Sequence, residues 1–364
     1  MAVAFPPARA SVQRAVVHAL KVNLKLRSMH SPSLPNSEAI RSEKCAFAFS
    51  AKPTLYTLVL LLSVFGAFAY KLRSQGIFGC PADGYGANRY LAYCHATAYG
   101  DFDRGAFWFG LEHEATRFAA DAEVLFLGSS RMQFAFSTQA AINWFSAAAV
   151  TYYLLGFTHI ENAVFAAPLL SRLKPRAKVY VINVDQFFDG RETPPTGQIL
   201  RGTDSLTRYK EKQFWQSLHR VLCTALPAVC GSNFAYFRFR ATGAWQHAGW
   251  AANYRVVPVS DGTVGNADRW KDYSAAGEEF LSRLPVDRHC IFLTLAPYVD
   301  TKRAEATAIA SALGLDLVAP QLDGLQTFDG YHLDQPSAER WSRAFFEAAG
   351  PRIRECLDKP RHNS

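Results

Sequence analysis

The sequence predicts an α/β domain with a mostly parallel sheet, preceded by one transmembrane helix. Residues 124–127, 150–155 and 178–184 form short apolar runs, and a segment of helical length follows each of the first two. This alternation is typical of parallel strands connected by crossover helices, which cover both faces of the sheet. Upstream of it, residues 55–70 contain no charged side chain and supply the predicted transmembrane helix.

The distribution of charge excludes one class of function. The chain of 364 residues has a formal net charge of +8 and is 49% hydrophobic, which is enough for a substantial core. Residues 1–53 hold eight basic and two acidic residues, a net of +6, and Lys71 with Arg73 account for the other +2. The chain from residue 74 onward is therefore neutral. Because a nucleic-acid-binding domain carries its basic patch on the folded part, we expect no nucleic acid partner.

The uncharged segment is interpreted as a membrane anchor. With its flanks it covers residues 54–72, within the ~17–25 residues that a spanning helix needs. The basic excess on its amino side predicts a cytoplasmic N-terminus and an exported domain. A cleaved signal peptide and a buried globular helix are the alternatives, although a basic tail this long is unusual for a signal peptide. The sequence leaves open whether Met1 or Met29 is the true start.

Composition divides the chain into four parts, one of which is the predicted membrane segment at 54–72. Residues 1–53 are a basic cytoplasmic tail, partly disordered because residues 31–42 are rich in Ser, Pro and Asn, and residues 73–120 form a stalk. The α/β domain spans residues 121–357, with a long irregular insertion at about 189–274. Helices are expected at 110–120, 138–148, 159–173, 275–284, 301–313 and 336–353, and strands at 124–127, 150–155, 178–184, 290–295 and 315–318.

The seven cysteines fit an exported domain. Two pairs are close in sequence, Cys80 with Cys94 and Cys223 with Cys230. In an oxidising compartment these pairs would form disulfides, and the alternative is that they are buried thiols. Cys290 and Cys356 have no evident partner, and Cys45 falls on the cytoplasmic side. No cysteine or histidine spacing matches a zinc site, so no metal is expected.

Polar residues gather where the predicted strands end. They are Ser129, Ser130 and Arg131 after the first strand, Gly156 after the second, Asn183 and Asp185 after the third, and Asp329 and His332 before the last helix. In open α/β folds this edge of the sheet binds ligands. Attack on an acyl carbon needs a nucleophile, an imidazole that takes its proton, and a carboxylate that fixes the imidazole tautomer. Ser130, His332 and Asp329 supply these groups. The Ser130 N–H, the Gly156 N–H and the Asn183 side chain are candidate donors to the oxyanion.

These residues resemble the sequence blocks of the SGNH (GDSL-like) hydrolase superfamily. Gly128-Ser129-Ser130-Arg131 is similar to the first block, with Ser130 at the nucleophile position. Gly156 is similar to the oxyanion glycine of the second block, and Asp329-Gly330-Tyr331-His332 to the final Asp-x-x-His block. The third block departs from the family pattern Gly-x-Asn-Asp, because this chain has Ile182-Asn183-Val184-Asp185.

The resemblance covers about residues 121–190 and 288–350. Within the superfamily it points to the membrane-anchored envelope branch, which includes alginate and peptidoglycan O-acetyltransferase-type domains and the D-alanyl transfer protein of teichoic acid synthesis. It implies a flavodoxin-like three-layer α/β/α sandwich, a Ser-His-Asp triad and no cofactor.

Several site residues have a second interpretation. Ser129 is either a turn former or the true nucleophile. Arg131 is expected to pair with a neighbouring carboxylate, with Asp185 as the candidate, rather than to touch substrate. Asp334 is an alternative to Asp329 as the residue that orients the imidazole, or else it caps the following helix.

The resulting hypothesis is an enzyme of the cell envelope. The enzyme is anchored in the inner membrane and its catalytic domain is periplasmic. It is a serine esterase or O-acyltransferase that acts on acyl esters of an envelope or exported polysaccharide. Its expected partners are an acylated carbohydrate or acyl donor and an envelope-biosynthesis protein. The alternative is a catalytically inactive SGNH-like domain that binds glycan or a polysaccharide-biosynthesis partner. Aromatic and basic residues in the insertion suit sugar rings and acidic groups, or simply cover the sheet edge.

Overall fold

The protein has a mixed α/β fold built on a four-stranded parallel sheet. The structure, a computed structural model, describes residues 51–158, 161–249, 254–262 and 269–359. The helices are α1 (Ala51–Ser74), α2 (Asp103–Trp108), α3 (His113–Asp121), α4 (Ser130–Phe136), α5 (Gln139–Ala148), α6 (Ala163–Leu173), α7 (Pro194–Arg201), α8 (Ser205–Ala225), α9 (Arg269–Leu281), α10 (Arg303–Ala312) and α11 (Gln335–Asp358). The strands are β1 (Arg89–Cys94), β2 (Val124–Ser129), β3 (Tyr152–Phe157), β4 (Val179–Asn183), β5 (Ala235–Phe239), β6 (Trp245–Ala248), β7 (Val257–Pro258), β8 (Ile291–Thr294) and β9 (Gln326–Thr327).

The central sheet has the strand order β3-β2-β4-β8, and all of its pairs are parallel. Side chains along each strand alternate between two separate hydrophobic clusters. In β2, Val124 and Phe126 belong to one cluster, and Leu125 and Leu127 to the other. Both faces of the strand are therefore buried, which is why β2 shows an unbroken apolar run rather than alternation of apolar and polar residues. The predicted parallel sheet is confirmed.

The insertion and the stalk fold together, which the sequence did not indicate. Strand β1, from the predicted stalk, pairs antiparallel with β5, and β5 pairs with β6, so that the three form a second sheet. Helix α8 alone accounts for 21 residues of the segment predicted to be irregular. The interpretation of this segment as irregular was wrong. The pairing of β1 with β5 joins positions that are 141 to 150 residues apart in the chain, and local periodicity does not reveal such pairings.

Some element boundaries also differ from the predictions. The second strand is Tyr152–Phe157, so Gly156 lies inside it rather than closing it. The strand predicted at 315–318 is reduced to an isolated bridge between Leu293 and Leu317. Helix α6 begins at Ala163, because the side chain of Asn162 accepts a hydrogen bond from the Val164 N–H and caps it.

A buried arginine joins the second sheet to the central sheet. Arg238, on β5, is fully buried and pairs with Asp103, at a distance of 2.6 Å between Nη2 and Oδ2. Its guanidinium also donates to the carbonyl oxygens of Leu154 (2.6 Å) and Gly156 on the edge strand β3. Burial by itself would lower the pKa of Arg238, but Asp103, Tyr90 and Tyr153 together outweigh it and the pKa is raised. The contact therefore ties the insertion to the strand that carries Gly156.

Helix α1 is long and apolar enough to cross a membrane over residues Lys52–Ser74. Its large apolar side chains from Leu55 to Tyr70 are exposed, including Leu60 at 64% and Phe65 at 70%. Residues 1–50 of the predicted basic tail lie outside the described residues. The predicted apolar segment at residues 54–72 therefore lies within one continuous helix.

Candidate active site

The turn after β2 separates the roles of the two serines. Ser129 ends the strand, is 3% exposed, and its Oγ accepts a hydrogen bond from the Arg131 N–H at 3.4 Å as the cap of α4. Ser130 is the first residue of that helix. The packing before this turn favours glycine, because a Cβ on Gly128 would lie 3.0 Å from the side chains of Asn183 and Met132. The side chain of Ser129 is thus engaged by the turn, which leaves that of Ser130 for contacts across the sheet edge.

Ser130, His332 and Asp329 form a continuous hydrogen-bonded chain. The Ser130 Oγ lies 2.8 Å from Nε2 of His332, and Nδ1 of His332 lies 2.7 Å from Oδ2 of Asp329. Both bonds are satisfied when Nδ1 carries the imidazole proton, so that Nε2 is free to accept the serine proton. The structure thus brings together the three predicted residues in the order nucleophile, base and orienting carboxylate.

Hydrogen bonds between the Asp329 carboxylate and backbone N–H groups fix the conformation of the loop that carries Asp329 and His332. The Oδ1 atom of Asp329 accepts from the N–H groups of Tyr331 and His332, each at 2.9 Å. Gly330 has φ of +87°, a conformation that residues with a Cβ rarely adopt, and this lets the loop turn back on itself. Asp334 uses its carboxylate to cap α11 through the Ser337 N–H at 2.9 Å, whereas Asp329 contacts the imidazole.

The pKa of Asp329 lies below its ordinary value. Burial opposes ionisation of this carboxyl group, but hydrogen bonds from the His332 side chain and from two backbone N–H groups outweigh it. Aromatic rings form the walls around the imidazole: Phe134 lies 4.8 Å and Phe328 5.5 Å from the His332 ring, between centroids. The imidazole is therefore packed between two aromatic rings, and the Asp329 carboxylate fixes its Nδ1 edge.

Asn183 presents a buried donor beside the nucleophile turn. It ends β4 and is fully buried, and its Oδ1 accepts from the Ala296 N–H at 2.8 Å. Its Nδ2 is buried and has no hydrogen-bond partner among the described residues. An unsatisfied buried donor costs about 1–3 kcal/mol, so its presence next to Gly128 calls for a functional explanation. A developing oxyanion at Ser130 would be one such partner.

Gly156 lies against the same turn. It stands opposite Gly128 in the ladder between β2 and β3, and a Cβ on it would lie 2.9 Å from the Ser129 carbonyl oxygen. Its own carbonyl oxygen accepts from Nε2 of Gln133 at 2.9 Å and from Arg238. Close packing therefore requires glycine here, while the role of its N–H as an oxyanion donor stays a prediction.

Sequence reasoning missed Gln133. This side chain is fully buried and donates to two carbonyl oxygens of β3, those of Leu154 and Gly156, each at 2.9 Å. It thereby fixes the edge strand against the helix that begins at Ser130. The sequence contains one signal for it: Gln133 lies between the apolar residues Met132 and Phe134, and a polar side chain in such surroundings needs hydrogen-bond partners.

Arg131 forms the expected ion pair with Asp185. The two side chains are 10% and 3% exposed, and the guanidinium carbon also lies 3.8 Å from the centroid of the Tyr298 ring. Burial, followed by the charge of Asp185, raises the pKa of Tyr298. The positive charge next to Ser130 is therefore neutralised within the protein.

A cleft of about 790 Å³ opens beside the triad, within the size range of small-ligand sites. It reaches the catalytic loop at Asp329 and Tyr331. Its lining combines aromatic rings with charged groups, among them Arg131, Tyr298, Lys302, Glu305, Asp329 and Tyr331. Such a surface offers both ring stacking and hydrogen bonds to a polar ligand.

Three disulfides cross-link the described part of the chain, and they account for a cluster that resembles a metal site. The predicted pairs Cys80–Cys94 and Cys223–Cys230 are bonded, and so are Cys290 and Cys356, a pair that sequence reasoning did not find. The ligand atoms of His219, Cys223 and Cys230 lie within 4.8 Å of one another. Because the two sulfurs are joined to each other, they are not thiolate ligands in this state.

No family model, curated protein or solved structure matches the chain.

Proposed function

We propose that the chain is a membrane-anchored SGNH-type serine esterase or O-acyltransferase that acts on acyl esters of a cell-envelope or exported polysaccharide. The observation that carries this proposal is the hydrogen-bonded chain from Ser130 through His332 to Asp329. A serine hydroxyl is a poor nucleophile until a base accepts its proton, and here the base lies at 2.8 Å and is oriented by a carboxylate.

In the first half-reaction Ser130 attacks the acyl carbon. His332 Nε2 takes the hydroxyl proton as the Oγ–carbon bond forms, and the carbonyl π electrons move onto the oxygen. The Asn183 Nδ2, together with the Ser130 and Gly156 N–H groups, would donate to this oxyanion. When the tetrahedral intermediate collapses, His332 returns the proton to the departing sugar oxygen, which leaves an acyl group on Ser130.

In the second half-reaction an acceptor replaces the sugar. His332 takes a proton from water or from a second sugar hydroxyl, which attacks the acyl-serine carbon. Collapse releases the carboxylic acid in the first case and a new ester in the second, and the proton passes back to Ser130. Hydrolysis and transfer use the same residues. The two reactions differ only in whether water or a sugar hydroxyl occupies the cleft beside Tyr331 as the acceptor.

The proposed fold is a flavodoxin-like three-layer α/β/α sandwich. Its support is that alternate residues of β2 enter two separate hydrophobic clusters, which requires cover on both faces of the sheet. The proposed location is the inner membrane, with a cytoplasmic N-terminus and a periplasmic domain. The apolar helix α1 and the three disulfides support it, because disulfides persist in oxidising compartments.

The test is covalent labelling with a fluorescent fluorophosphonate, together with hydrolysis of a small acetyl ester. The wild-type full chain in detergent should take up the label, and Ser130→Ala and His332→Ala should each abolish it. Ser129→Ala is the matched control, because its hydroxyl is used by the turn, and it should keep most of the labelling. If the wild-type protein takes no label and cleaves no ester, the domain is a binding module rather than an enzyme. If Ser129→Ala is the unlabelled variant, the nucleophile is Ser129.

A further inference from the structure

Exposed apolar side chains outside α1 are concentrated in one place. Among the described residues, eight large hydrophobic side chains beyond α1 are exposed, and five of them fall between positions 206 and 229. They are Leu206 (41%), Phe214 (60%), Val221 (62%), Leu226 (57%) and Val229 (52%). Scattered exposed hydrophobics are normal, but such concentration on one helix and the turn after it indicates a surface that is covered in the functional state.

Helix α8 is apolar on two faces, and the domain covers only one of them. Trp215 and Cys223 point inward, where they are buried at 8% and 0% exposure. Phe214, Leu218 and Val221 follow one another at intervals of four and three residues, and Ala225 comes four residues later, so these side chains line a second face. Only Leu218 of this outward set packs in part against the domain. The outward face leads directly into the exposed turn at Leu226 and Val229.

Helix α8 shares a hydrophobic cluster with the carboxyl end of α1. Leu72, in the last turn of α1, is 7% exposed and belongs to the same hydrophobic cluster as Trp215, and Leu218 packs against that cluster. Past the helix, the Phe78 carbonyl oxygen accepts from the Gly231 N–H at 2.6 Å. Phe78 is four residues beyond the end of α1, a reach of at most about 14 Å, so the turn before Gly231 lies close to the point where α1 ends.

The polar residues around this surface suit lipid headgroups. Lys71 and Arg73, on either side of Leu72, are exposed, and Arg220 is exposed on α8 one residue before Val221. Long cationic side chains extend towards headgroups while their stems lie along apolar surface. Apolar side chains flanked by cations are typical of a helix that lies in the interface of a bilayer. A lipid surface is favoured over a protein partner because α8 and the turn after it are held beside the end of α1, through the shared hydrophobic cluster and the bond between Gly231 and Phe78.

We propose that the outward face of α8 and the turn Leu226–Val229 rest in the membrane interface beside α1. This inference rests on the membrane anchor of the proposed function and goes beyond it, because it fixes the orientation of the domain on the bilayer. The domain is then held at two points, the end of α1 and the tip of α8. The Cys223–Cys230 disulfide closes the turn at the second point.

The test is the depth of nitroxide labels in the full chain, reconstituted in nanodiscs of phosphatidylcholine and phosphatidylglycerol. In a Cys45→Ser background, single variants Val221→Cys, Leu226→Cys and Val229→Cys are labelled, and oxygen and a water-soluble nickel chelate compete as relaxing agents. Phe65→Cys in α1 reports on the anchor. Ile142→Cys is the matched control, because it is an exposed aliphatic residue (42%) on α5. Fluorophosphonate labelling of each variant, where the wild type labels, or otherwise retention of the three disulfides, checks that it is folded.

The expected result is that labels at 221, 226 and 229 are at least fivefold less accessible to the nickel chelate than the label at 142. If the label at 65 is in the hydrocarbon but those at 221, 226 and 229 are as accessible as the control, the interface proposal is overturned. The surface would then be covered by a protein. If the label at 65 is itself accessible to the chelate, the anchor fails, and with it both the location in the proposed function and this inference.

Discussion

The Oγ atom of Ser130 lies 2.8 Å from Nε2 of His332, although 202 residues separate the two in the chain. Ser130 follows β2, at the centre of the parallel sheet, and His332 follows β9, in the loop before α11. The hydroxyl and the imidazole meet at the carboxyl edge of the sheet, where parallel strands deliver the residues that follow them.

The first prediction concerns the unpartnered donor of Asn183. Asn183→Ala should lower kcat for ester cleavage by about 10²–10³, the usual cost of removing an oxyanion donor, with little change in KM. Stability should change by less than about 2 kcal/mol, because loss of the Ala296 hydrogen bond is offset by removal of an unsatisfied group. Thr294→Val is the control: it removes a buried hydrogen bond on the adjacent strand, to the Val318 carbonyl at 2.7 Å. It should lose about 1 kcal/mol of stability and keep kcat. An unchanged kcat in Asn183→Ala would remove Asn183 from the oxyanion site.

The second prediction concerns acid stability and Asp329. Because the pKa of Asp329 is lower in the folded protein than in the unfolded chain, its ionisation stabilises the fold at every pH above the unfolded value of about 3.9. That stabilisation is lost as the pH falls through the lower folded value. The Tm difference between wild type and Asp329→Asn should therefore shrink as the pH falls from about 5 to below about 4. Thermal unfolding followed by circular dichroism checks this, and a difference that grows over that acid range would contradict it.

The third prediction concerns the ion pair of Arg131 and Asp185. Arg131→Met leaves the Asp185 carboxylate, 3% exposed, without its partner and should cost about 3–5 kcal/mol in urea unfolding. Replacing both residues, as Arg131→Met with Asp185→Leu, should cost clearly less than the sum of the single changes. Arg201→Met is the matched control, because Arg201 is 73% exposed in its pair with Glu192, and it should cost under about 1 kcal/mol. Additive single changes would mean that the two side chains are not coupled.

The fourth prediction concerns the disulfides. Before reduction the full chain should react with a thiol reagent at one cysteine, Cys45, and after reduction and unfolding at seven. Mass spectrometry of the alkylated protein counts these. Replacing Cys290 and Cys356 by Ser removes a link that closes a loop of 66 residues and should cost about 4 kcal/mol. More than one reactive thiol in the oxidised protein would show that a pair is open.

The fifth prediction concerns topology. Alkaline phosphatase fused after Ser74 should be active, because the basic residues before α1 favour a cytoplasmic N-terminus and so place Ser74 outside. A fluorescent protein that folds only in the cytoplasm should be dark at the same position. The reverse pattern would contradict both the exported domain and its envelope substrate.

Local signals determined the part of the site that follows one strand or lies on one loop. Asp329 and His332 are three residues apart, so a single tight turn at Gly330 is enough to bring carboxylate and imidazole together. The run at 124–127 predicted β2 because burial on both faces removes polar side chains from a strand. Such signals depend only on residues that are close in sequence, so they can be read without the tertiary structure.

The tertiary structure alone decided which distant groups meet. Nothing local pairs Cys290 with Cys356, or β1 with β5, or directs the Arg238 guanidinium to the carbonyl oxygens of β3. It also decided that Ser129 caps α4 while Ser130 faces His332, a choice between two identical side chains. Contacts between remote segments form only when the free energy gained by burying the whole core exceeds the entropic cost of closing long loops. They are therefore a property of the complete fold rather than of any stretch of sequence.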